Sequence, residues 1–60
     1  MNIADLTTRS KIQSRVSLLV QENIDADGNL EFSLISGIII DEFGPDGLDI
    51  AEKQFNFMMY

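Results

Sequence analysis

The sequence predicts an α+β domain: a long antiparallel β-hairpin packed against a C-terminal helix, with a short N-terminal helical or extended segment beside it. Three observations lead there. Two turn motifs, Asp25-Ala26-Asp27-Gly28 and Gly44-Pro45-Asp46-Gly47, punctuate the chain. The segments flanking the first turn, when paired, gather their apolar residues on one face. Beyond the second turn the apolar spacing changes to that of a helix.

The N-terminal stretch Ile3-Ala4-Asp5-Leu6 reads as a short helical turn or a tail that orders on contact. Residues 1–11 are expected as a flexible N-terminal segment of one domain spanning 1–60. Both turn motifs fit a type I turn followed by a left-handed glycine bulge: such a turn favours Asp at its first position, as at Asp25, Pro at its second, as at Pro45, and Asp at its third, as at Asp27 and Asp46. If Asp25 faces Asn29, then Ile24 faces Leu30, Glu22 faces Phe32, Val20 faces Leu34, Leu18 faces Ser36 and Val16 faces Ile38. Directly opposed residues share a face. One face therefore carries Val16, Leu18, Val20, Ile24, Leu30, Phe32, Leu34, Ile38 and Ile40. The opposite face carries Leu19, Ile35, Ile39 and Phe43 among polar residues. Gly37 in the second strand signals a bulge or the close approach of another backbone.

A competing reading makes residues 12–24 a helix, because Ile12, Val16, Leu19, Val20 and Ile24 also fit helical spacing. Three serines and two β-branched valines weaken that helix. After the second turn, Asp49-Ile50-Ala51-Glu52 has the form of a capping box. Ala51, Phe55, Met58 and Met59 follow at helical spacing, with Phe57 off that stripe. Alternation of Phe55, Phe57 and Met59 also permits a third strand. The alternatives to the hairpin and helix are thus a three-stranded all-β meander or a small all-α helix-loop-helix.

Sixty residues make one domain, and a chain this short is marginally stable. It has no Cys or His, so neither disulfide nor zinc staples it. Such domains often lean on a partner subunit. Residues 1–21 hold Arg9, Lys11 and Arg15 against Asp5, a balance of +2, and residues 22–60 hold nine acids against Lys53, a balance of −8, giving the net −6. An acidic body repels phosphate backbones, which argues against nucleic acid, and it attracts basic surfaces. The start lacks a signal-peptide pattern, and apolar runs such as Ile38-Ile39-Ile40 fall far short of a membrane span. These predict a soluble cytoplasmic protein with no membrane partner. The apolar ending, Phe55 to Tyr60, also admits a chain cut from a longer one.

Without His or Cys the usual general base and thiol nucleophile are missing, and no serine has an activating partner. No phosphate-binding loop or cofactor motif is present. The expectation is a non-enzyme without catalytic residues or cofactor. Asn23, Asp25, Asp27, the Asn29 carbonyl and Glu31 resemble most of an EF-hand calcium loop, with Gly28 at the bend and Leu30 as apolar anchor. That resemblance implies Asn23, Asp25, Asp27 and Glu31 as metal ligands. It departs from the pattern at the twelfth position, where Leu34 replaces the bidentate Glu.

The functional expectation is a small acidic interaction module that modulates or inhibits a larger protein with a basic surface. Its contact residues would be the apolar Leu19, Ile35, Ile39 and Phe43 with the acidic Asp25, Asp27 and Glu31. Glu22, Asp41 and Glu42 would add to the acidic surface. The alternatives are a self-assembling subunit, dimeric or larger, and a degenerate calcium module.

Overall fold

Spacing along the chain explains the first helix. In α1, Leu6–Asn23, the residues Thr8, Ile12, Val16, Leu19 and Val20 repeat every three or four positions, and all are buried. A computed structural model describes residues 6–60, and two further helices follow: α2, Phe32–Phe43, and α3, Leu48–Met59. A 3-10 turn at Pro45–Gly47 links them. The predicted Ile3-Ala4-Asp5 segment lies outside the described residues. Leu6 to Lys11, expected in the flexible segment, form the first turns of α1.

The described residues contain no strand, so the fold is all-α. This corrects both the α+β prediction and its β-hairpin. The helical reading of residues 12–24 is the one adopted. The reason lies in coverage. A two-stranded sheet covered by one helix buries only one of its faces, and would leave Leu19, Ile35, Ile39 and Phe43 of the mixed second face uncovered. Three helices each turn one stripe to a common centre. Ile12, Val16, Ile35, Ile39 and Ala51 are completely buried there, with Leu19, Val20, Ile50 and Phe55 nearly so. Phe32 meets Phe55 with ring centroids 5.3 Å apart in a tilted arrangement, tying the start of α2 to the end of α3. The α1 helix packs most extensively on α3.

The first predicted turn does form. The Gly28 N–H donates to the Asp25 carbonyl at 3.0 Å, and the Asp25 N–H donates to the Asn29 carbonyl at 3.1 Å. Gly28 takes a positive φ of 80°. The turn is therefore correct while its flanks are helices, because turn chemistry is local and silent about what it joins.

The second turn differs from its prediction. Gly44, not Gly47, has the positive φ, 83°, and its N–H caps α2 by donating to the Ile40 carbonyl at 2.8 Å. Pro45 opens the 3-10 turn, where its missing N–H is not needed. Gly47 is buried at an ordinary φ, and a Cβ there would lie 3.2 Å from Phe43 Cβ and 3.3 Å from Ile12 Cδ1. Its smallness admits α1 against the corner. The predicted capping box is absent: α3 is capped by Gly47 without a side-chain bond, which leaves Asp49 inside the first turn. There Asp49 complements the helix dipole and pairs with Lys53 at 3.6 Å.

Candidate interaction surface

The residues expected to form an apolar contact patch are instead the core. Leu19, Ile35 and Ile39 are buried and Phe43 packs half-buried against them. The cause is the change of period from two to 3.6, which moves alternate residues of a strand onto different sides of a helix. Conversely, Leu18, Leu34, Ile24 and Ile40, expected inside, are exposed. Leu34 is 64% and Ile40 42% accessible.

In the acidic loop, residues 24–31, the Asp25 carboxylate turns back on the loop's own backbone. Asp25 Oδ1 accepts from the Asp27 N–H at 2.9 Å and from the Asn29 N–H at 2.8 Å. Asn23 Nδ2 donates to the Leu19 carbonyl at 2.8 Å and so closes the end of α1. Helices do flank the loop, as the EF-hand resemblance requires. Among the described residues, however, no three acidic side chains are gathered where they could hold a metal ion. Leu34, at the position of the missing bidentate ligand, lies on the outer side of α2.

Electrostatics divide the surface unevenly. Arg15 reaches from α1 to Glu42 of α2, with Nε 3.1 Å from both carboxylate oxygens and Nη2 2.9 Å from Oε2. This hydrogen bonding, outweighing some desolvation, raises the Arg15 pKa above its ordinary value. Glu42 is thus engaged within the chain. The α2 helix itself has two acids, Asp41 and Glu42, and no base. Glu31 precedes it, exposed.

The outer side of α2 therefore combines exposed apolar side chains with unbalanced negative charge. Leu34 and Ile40 project there with Asp41, and Ile38 is half-buried at its border. Helical spacing of Phe32, Ile35, Ile39 and Phe43 was the signal that would have separated this outer surface from the core. Comparison with protein-family models, with curated proteins and with solved structures finds no match for this chain.

Proposed function

We propose that the protein is a small interaction module that modulates a larger protein, using the acidic and apolar outer face of α2 against a basic surface. The observation carrying this reading is the exposure of Leu34 and Ile40 on a helix without a basic residue. Exposed apolar groups supply contact area and the surrounding acids select the sign of the partner. Self-assembly through the same face is less well supported. A second copy would bring Asp41 against an equally acidic helix, with net charge −6 on each chain.

The reading is tested by cross-linking the protein to its partner in cells and comparing the native chain with a Leu34→Glu, Ile40→Glu double variant. Circular dichroism should show the variant helical and folded, since both residues lie outside the core. A partner with a basic surface should be recovered with the native chain, less efficiently as salt rises, and lost with the variant. Equal recovery by both proteins would remove the α2 face from the reading.

A further inference from the structure

Gly37 stands in the interior of α2, where glycine is the poorest helix former after proline. Nothing among the described residues requires it: its φ is not in the left-handed region, and a Cβ added there would meet no atom within 4 Å outside the backbone of its own helix. On a helix the neighbours of position 37 are the residues three and four away. Those are Ser33, Leu34, Ile40 and Asp41, and all four are exposed. The glycine thus makes a notch in the outer face, walled by two apolar side chains and one carboxylate. With Leu34, Gly37, Ile38 and Asp41 at positions i, i+3, i+4 and i+7, this is the spacing of a hole that receives a side-chain knob from a facing helix.

We propose that the Gly37 notch is the crossing point of a partner's basic amphipathic helix, an inference that rests on the interaction reading above. An apolar side chain of that helix would enter the notch between Leu34 and Ile40. Flanking Lys or Arg residues would meet Asp41 and Glu31, since α2 offers no base of its own and Glu42 is held by Arg15. The same accounting disfavours a second copy as occupant, which would face acid with acid. Absence of the Cβ lets the two helix backbones approach closely, as is typical of helix contacts at glycine.

The test uses the full chain and two helical peptides, both with leucines along one face. One peptide carries lysines beside that face and the other glutamates. The lysine peptide should bind, more weakly at high salt, and the glutamate peptide should not. Gly37→Ala should raise the Tm of the free chain by roughly 5 °C through helix propensity. The same substitution should weaken lysine-peptide binding about tenfold or more by filling the notch. A higher Tm with unchanged peptide affinity would overturn the notch, while the α2 face would still stand or fall on recovery of the cellular partner. Binding of neither peptide, or equal binding of both, would overturn the basic helix as occupant. So would a concentration-dependent dimer that Gly37→Leu dissociates, because the occupant would then be a second copy.

Discussion

Asp25 and Asp27 lie two residues apart in one loop but have different work. The Asp25 carboxylate accepts two backbone N–H groups and holds the turn closed. The Asp27 carboxylate bonds none among the described residues, while its backbone is one of the two donors. Asp25→Ala should therefore cost about 1 kcal/mol, and Asp27→Ala should stay within about 0.5 kcal/mol of the native chain in urea unfolding. A similar contrast separates conformation from space at Gly44. Its φ of 83° and ψ of 168° are open essentially to glycine alone, although a Cβ would meet nothing within 4 Å. Gly44→Ala should lose about 1–3 kcal/mol by backbone strain, measured as a lower Tm, despite the free space around it.

The helices show which parts of the fold were legible. Both turns could be located because Asp, Pro and Gly carry conformational preferences that act over a few residues. The α3 helix was legible in Ala51 and Phe55, which repeat on one side and are buried, while Phe57, off the stripe, is 82% exposed. The first two segments were not, because isoleucine and valine favour strands and the apolar residues satisfy both periods. Val16 and Val20 face inward in either structure, so they did not discriminate. Leu34 and Ile35, or Ile39 and Ile40, do discriminate, and the helical spacing of Phe32, Ile35, Ile39 and Phe43, together with the packing of three stripes on one core, chooses between them. The apolar members of the candidate site, Leu19, Ile35 and Ile39, were placed outside by the wrong period, whereas its acidic members were legible as exposed charge. The loop's calcium-like spacing was equally legible, but among the described residues its acids are not gathered into a ligand set, and Asp25 Oδ1 accepts from the turn's backbone.

At the scale of the molecule, a chain measuring 36 × 18 × 15 Å has little depth in which to hide an apolar side chain. Three helices suffice to bury one stripe each, and the second side of α2 is left in water. No helix among the described residues is long and apolar enough to cross a membrane, so the exposed leucines and isoleucines are not part of such a span. The excess of negative charge is partly neutralised within the chain, at Arg15 with Glu42 and Lys53 with Asp49, but Glu31 and Asp41 stay exposed beside the apolar face. Association with a basic protein should accordingly weaken with ionic strength, because exposed charges more than about 10 Å apart are largely screened at 0.1 M salt.

The α2 helix turns one side to the core and leaves the other free, and its adjacent isoleucines separate the two sides. Ile39 is fully buried and Ile40 is not. Urea unfolding followed by circular dichroism should be measured for Ile39→Ser and Ile40→Ser beside the native chain. Ile39→Ser should lose about 2–5 kcal/mol, enough to leave a domain of this size largely unfolded, while Ile40→Ser should lose under about 1 kcal/mol. A reversed order, with Ile40→Ser the damaging change, would contradict the helical core and return the outer face of α2 to the interior.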